Sequence, residues 1–202
     1  MTKYDWTAMY VMHNALRREL EHLAKTAARE DAEARRILAE APGWDLFKTA
    51  LHVHHAAEDE ALWPPMRDAL AGRPDGPALM DAMEAEHAAI DPAIEAIDAG
   101  VGPLAPLVDR LSAGLIAHLK HEEEAALPLI DEVLAPEQFA NFGQVHAGKL
   151  GPNAPRILPW LLDGAAENQE ATMLSLLPDP ARTAYKTQWR PAYAALNRWN
   201  IA

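Results

Sequence analysis

Two stretches of this chain carry imidazole and carboxylate groups at one repeated spacing. His54-His55-Ala56-Ala57-Glu58-Asp59-Glu60-Ala61-Leu62-Trp63-Pro64 and His118-Leu119-Lys120-His121-Glu122-Glu123-Glu124-Ala125-Ala126-Leu127-Pro128 each place a Glu four residues after a His, and a Pro six residues after that Glu. On a helix, residues four apart share a face with Cβ atoms about 5–6 Å apart. Each pair therefore offers a nitrogen and a carboxylate to one metal or to two neighbouring ones. Each is also preceded by a segment with a single His on an apolar stripe, His13 before the first and His87 before the second. Four imidazoles and two carboxylates that can bridge are enough for two metals. With no thiolate among the donors, the set suits iron, manganese or zinc, and the bridging carboxylates tilt it towards a di-iron centre.

A lone His on an apolar face is ordinarily a hydrogen-bonded core residue. Here the His and Glu residues interrupt the inward stripes of four successive segments, and no Lys or Arg falls on those stripes. Burying two carboxylates costs several kcal/mol each unless a cation compensates. A metal is the cation that the pattern calls for. His52, His55, His121, Asp59, Glu60, Glu123 and Glu124 lie beside the motifs and read as a solvated face or as groups that hydrogen-bond to the ligands, with Glu123 a substitute for Glu122. His22 and His146 read as surface or inter-helix residues.

The elements that must position these groups are helices. Apolar residues recur three and four apart almost throughout, and alternating β-branched runs are absent. A first helix is expected from about residue 5, with Asp5 as its cap, to about residue 25, burying Trp6, Met9, His13, Leu16, Leu20 and Leu23. A second follows Pro42-Gly43, carries Phe47, Leu51, His54, Glu58 and Leu62, and ends or kinks at Pro64-Pro65. A third follows the turn signal Arg73-Pro74-Asp75-Gly76-Pro77 and buries Met80, Met83, His87, Ile90, Ile94 and Ile97. A fourth follows Gly102-Pro103 with Leu104, Val108, Leu111, Leu115, His118 and Glu122 inward. Short connections between amphipathic helices favour antiparallel neighbours. The expected fold is all-α, an up-down-up-down four-helix bundle over residues 1–135. After Pro136 the texture turns rich in Pro and Trp, with helical patterns at 139–149, 155–162 and 179–199. Residues 136–202 read as a helical C-terminal extension packed on the bundle.

Composition narrows the partners. The 202 residues are 50% hydrophobic and 24% charged, in keeping with a globular protein with a buried core. A net charge of -12 and a pI near 5.1 argue against nucleic acid or an anionic membrane as partner. Cysteine is absent, which removes disulfides, thiol catalysis and iron–sulfur ligation by the chain. No window approaches the roughly 20 apolar residues that span a bilayer, and the first residues lack a basic-then-apolar leader pattern. A cytoplasmic location is the expectation.

The order of His13, HHAAEDEALWP at 54–64, EAEHAAID at 84–91 and HLKHEEEAALP at 118–128 resembles the haemerythrin/HHE cation-binding family. That resemblance implies two irons per chain with an oxo or hydroxo bridge. It implies that His13 and His54 ligate one iron and His87 and His118 the other, and that Glu58 and Glu122 bridge them. Its members include dioxygen carriers, oxygen or iron sensors, iron–sulfur cluster repair proteins and oxidising enzymes, so membership does not select an activity. One position departs from the oxygen carriers, which place a second His four residues after the third-helix His; here it is Asp91. Glu84 also stands three residues before His87, the carboxylate–imidazole spacing of ferritin-like sites. Asp91 and Glu84 are thus additional candidate ligands. An anionic Asp91 ligand would stabilise the ferric state. That favours a protein that binds and activates dioxygen or peroxide, as an oxidase-type enzyme or a detoxifier, with a small-molecule substrate and an electron donor as further partners. A carrier, sensor or repair protein without turnover remains the alternative.

Overall fold

The computed structural model describes residues 2–74 and 76–200 of the chain. In chain order its helices are α1 (Thr7–Ala27), α2 (Asp31–Glu40), α3 (Pro42–Ala61), α4 (Trp63–Leu70), α5 (Gly76–Asp98), α6 (Leu104–His121), a π-helical turn (Glu122–Ala126), α7 (Leu127–Val133), α8 (Pro136–Leu150), α9 (Ala154–Leu162), α10 (Glu167–Ser175), α11 (Asp179–Ala184), a second π-helical turn (Tyr185–Trp189) and α12 (Arg190–Ala194). The four long helices read from the apolar stripes are α1, α3, α5 and α6. Among the described residues there is no strand, and the fold is of the all-α bundle class. No helix among them is long and apolar enough to cross a membrane.

The chain forms two compact units that are discontinuous in sequence. One comprises Met1–Tyr4 and Leu51–Lys149, the other Asp5–Ala50 and Leu150–Ala202. The sequence texture changes at Pro136, whereas the C-terminal residues cluster in space from Leu150 onwards, with the first helices. The structure also adds two helices that the apolar pattern does not announce. In α2 only Ala34 and Ile37 are buried, too few to make a stripe, and the i,i+4 ion pairs Arg29–Glu33 at 3.0 Å and Arg35–Asp31 at 2.8 Å support it from the solvent side. In α10 only Leu174 is buried.

Prolines and caps set several helix boundaries. The side chain of Asp5 accepts the Thr7 N–H at 2.9 Å at the start of α1, and hydrogen bonds from the Thr7 side chain and then its N–H lower the Asp5 pKa below the ordinary carboxylate value. Pro64 and Pro128 each stand in the first turn of a new helix, where a missing N–H costs no intrahelical bond. Pro92 lies inside α5 without ending it; the carbonyl it leaves unbonded belongs to Ala88, which is exposed and open to water. Asp75, part of the expected turn before α5, lies outside the described residues.

The second unit is closed by a buried carboxylate. Glu19 on α1 has no exposed surface. It accepts hydrogen bonds from Arg198 Nη1 at 2.6 Å, Trp199 Nε1 at 2.7 Å and Arg18 Nε at 2.9 Å. Arg198 also reaches Asp163 at 2.8 Å, and its carbonyl accepts the Gly43 N–H at 2.9 Å. A Cβ on Gly43 would sit 2.5 Å from that carbonyl oxygen and from the Trp199 ring, so only glycine lets this segment approach. Removing one partner of a buried charge pair costs about 3 kcal/mol. Arg198→Ala is expected to lower the thermal midpoint by roughly 6–12 °C for a chain of this size. A shift below about 2 °C would show that Arg18 and Trp199 hold Glu19 by themselves.

Candidate metal centre

The site in the first unit is built from α3, α5, α6 and the π-helical turn that follows α6. At about 100° per residue, the buried positions of α5, namely Gly76, Met80, Met83, His87, Ile90 and Ile97, occupy an arc from about 80° on one side of His87 to about 20° on the other. Asp91 falls at about 40° and Glu84 at about 60° on the short side, beyond the edge of that arc. Both are exposed. Glu84 forms a surface ion pair with Arg67 Nη2 at 2.8 Å. The structure therefore keeps both Asp91 and Glu84 out of the buried cluster, because the helix carries them just past its apolar face.

On α3 the buried arc is wider. Ala50, Leu51, Val53, His54, His55, Ala57, Glu58 and Ala61 are all buried, so two consecutive histidines point inward. His54 is the expected one. His55, read from the sequence as a residue beside the motif, is only 7% exposed. His118 and Glu122 are buried at the end of α6 and the start of the π turn. A single π turn widens the helix locally, and such turns recur at functional sites. His13 is fully buried on α1, in the other compact unit.

Within the first unit the ligand-type atoms fall into two adjacent groups. His54, Glu58 and Glu122 bring donor atoms within 4.8 Å of one another, and so do His55, His87 and His118. Glu58 stands between the groups: Oε1 is 3.3 Å from His54 Nε2, and Oε2 is 3.5 Å from His87 Nε2. Glu122 Oε2 lies 4.0 Å from His118 Nε2. The outer nitrogens are held from behind. His87 Nδ1 donates to Asp59 at 2.8 Å, and His118 Nδ1 donates to Glu86 at 2.9 Å. The other oxygen of Glu86 accepts from His121 Nδ1 at 2.8 Å. A neutral ring that donates from Nδ1 carries its lone pair on Nε2. The Nε2 atoms of His87 and His118 face each other at 3.1 Å. Two lone pairs so close repel unless a cation lies between them. Nitrogens bound to one ion at about 2.0–2.1 Å would be about 3 Å apart at neighbouring positions.

The carboxylates make the same demand. Glu58 has no exposed surface, and among the described residues neither of its oxygens has a hydrogen-bond partner of good geometry. The groups of opposite sign nearest to it are imidazoles. Burial, then the charge of Glu122, push the Glu58 carboxyl well above its ordinary value of 4.5. Burial likewise lowers the pKa of His118, against the opposing pull of Glu122. The pocket disfavours a bare carboxylate and a protonated imidazole together. A bound cation, which needs the deprotonated form of both, resolves the conflict, and the donor set of imidazole and carboxylate suits iron.

Asp59 was legible as a neighbour of the motif. Glu86 was not, since a Glu beside the third-helix His carries no spacing signal; its orientation is decided by packing. His146 on α8 lies with its ring 6.3 Å from that of His54 and edge-on to it, and burial lowers its pKa.

A model of the family described as Hemerythrin HHE cation binding domain matches residues 5–133. No curated protein and no solved structure gives a significant match to the chain.

Two outcomes follow from this geometry. In the metal-free protein the raised pKa of Glu58 means that the fold favours its protonated form, so stability should fall as pH rises from 4.5 towards the folded-state pKa. Metal-free Glu58→Gln should therefore unfold at a higher temperature than the parent at pH 7, with the difference vanishing towards pH 4.5. A parent midpoint equal to the variant's across that range would show that Glu58 titrates normally. Secondly, Asp59→Ala and Glu86→Ala should each weaken metal binding by about 10–100-fold, since each removes the group that orients a ligating ring. Competition with a chelator of known affinity measures this, and unchanged affinity in both would show that the two carboxylates are incidental.

Proposed function

The chain belongs to the haemerythrin HHE cation-binding family and is a non-haem iron-binding protein; from this premise we propose that it holds two irons and uses them to bind and reduce dioxygen or peroxide. The observation that carries the two-iron reading is Glu58, whose oxygens face His54 on one side and His87 on the other. In this proposal Glu58 and Glu122 would be the carboxylates shared by the two irons, and an oxo or hydroxo bridge would complete the centre. His13 joins His54 on one iron, and His87 and His118 hold the other. The reading of His13 is supported by its complete burial and by its place within the matched residues.

When bound, two ferrous irons supply a pair of electrons to a small oxidant. The protein's contribution is to hold and shield. Asp59 and Glu86 fix the tautomer and ring direction of His87 and His118, so that Nε2 of each faces the metal side. Glu58 and Glu122 supply two negative charges against the four of two ferrous ions. Trp63, buried with its ring 6.2 Å from that of His87, helps keep bulk water away and so strengthens these interactions.

With Asp91 on the surface, the argument from a third anionic ligand no longer supports an oxidising enzyme over a carrier. What supports reduction of the oxidant is the pair of metal positions on either side of Glu58, since two adjacent ferrous ions can deliver two electrons to one oxidant. The implied further partners are an electron donor and a small-molecule substrate. Anaerobic loading with ferrous iron should give two irons per chain. His54→Ala and His118→Ala should each lose at least one, and His22→Ala none. Mixing the loaded protein with dioxygen or hydrogen peroxide should consume the oxidant and oxidise the iron, followed by an oxygen electrode and by absorbance. A spectrum that forms with dioxygen and reverses on its removal would instead identify a carrier or sensor.

A further inference from the structure

We infer that Arg198 is a positioning residue for the metal centre: with Trp199 it forms a C-terminal clasp that fixes the rotation of α1, and with it the direction of His13. This rests on the two-iron reading above, in which His13 is a ligand, and adds residues that lie beyond the matched region at 5–133. The clasp takes hold of α1 at Glu19, six residues after His13 and therefore about 9 Å further along the same helix. Both oxygens of Glu19 are engaged: Oε1 accepts from Arg198 Nη1 and Arg18 Nε, and Oε2 accepts from Trp199 Nε1. A carboxylate with no exposed surface, held at both oxygens, cannot swing with its helix without leaving a buried charge unpaired. The other end of the clasp is tied twice. Arg198 Nη2 donates to Asp163, which also accepts from the Tyr193 hydroxyl at 2.9 Å, and the Arg198 carbonyl accepts the Gly43 N–H at the start of α3. The anchors Glu19, Gly43 and Asp163 all belong to the second unit.

A metal ligand on α1 turns this tie from a matter of stability into one of direction. Side chains extend about 5–6 Å from a helix axis, so a rotation of about 10° moves a ligand atom by about 1 Å. Metal–ligand distances tolerate about 0.2 Å. The buried residues around His13 on α1 include Met9, Met12, Leu16 and Leu20, whose apolar contacts are non-directional. Glu19 supplies the directional contact. The clasp is also closely fitted, since a Cβ on Gly43 would meet the Arg198 carbonyl oxygen at 2.5 Å. Because α3 runs as one helix from Pro42 to Ala61, the tie at Gly43 acts on the helix that carries His54.

The test is metal binding by the full chain, with ferrous iron and separately with redox-silent zinc, read by elemental analysis and chelator competition well below every variant's thermal midpoint. Arg198→Ala opens the clasp from its C-terminal side. Gly43→Ala pushes it off α3 while improving that helix's own propensity, and carries the test if Arg198→Ala fails to fold. Ile37→Ala, which cuts a buried side chain from α2 and leaves the hydrogen-bonding groups around Glu19 unchanged, is the control for lost stability. Each clasp variant should weaken one of the two ions by about 10–100-fold and leave the other at the parent's affinity, whereas Ile37→Ala should change neither. On a His13→Ala background, itself short of one ion, the clasp variants should add no further loss, because they act through His13. Both ions kept, both weakened alike, a further loss on the His13→Ala background, or an equal loss in Ile37→Ala would each overturn the assignment. The two readings fail differently. A parent with one ion that His13→Ala removes and the clasp variants weaken would keep the clasp and end the two-iron reading; a parent with one ion indifferent to His13→Ala, or with none, would end both.

Discussion

A carboxylate with no exposed surface, set among imidazole nitrogens whose lone pairs converge, is unstable by itself. Glu58 is in that position. Its charge is desolvated, its nearest basic neighbours are imidazoles rather than Lys or Arg, and a second buried carboxylate, Glu122, adds repulsion. Every other feature of the site follows from the need to neutralise this arrangement with a cation. Asp59 and Glu86 stand behind the rings rather than in the cluster, so they turn nitrogens inward without adding charge at the centre.

The second unit shows the alternative solution to the same problem. Glu19 is as deeply buried as Glu58, but Arg18, Arg198 and Trp199 converge on it with hydrogen bonds. One chain thus neutralises one buried carboxylate with guanidinium groups and leaves others to imidazoles. The difference separates a structural ion pair from a candidate ligand, and it is visible only when the partners of each carboxylate are known. An apolar stripe interrupted by Glu does not by itself distinguish the two.

The charge argument for an oxidising enzyme depended on Asp91, and helix geometry removes it. Four residues advance a helix by about 40° more than a full turn. On α5 that increment carries position 91 out of the buried arc. On α3 the same increment keeps Glu58 inside, because the buried arc there is wider. The unequal widths also explain His55, which stands about 100° from His54 and is still inside.

The four long helices, their apolar faces and the inward placement of His13, His54, Glu58, His87, His118 and Glu122 were legible in the sequence, because helical periodicity is a local property that neighbours three and four residues away encode. So was the repeated spacing that marks imidazole and carboxylate on one face. The sequence did not reveal α2 and α10, whose few buried residues make no stripe, nor the pairing of Glu19 with Arg198 and Trp199, which are remote in sequence. Nor did it reveal which groups stand behind His87 and His118, or that His55 turns inward while Asp91 and Glu84 turn out. Those outcomes depend on how much of each helix is covered by its neighbours. Spacing fixes the angle between two side chains on a helix, but the width of the buried arc is set by what packs against it, and only the tertiary structure decides that.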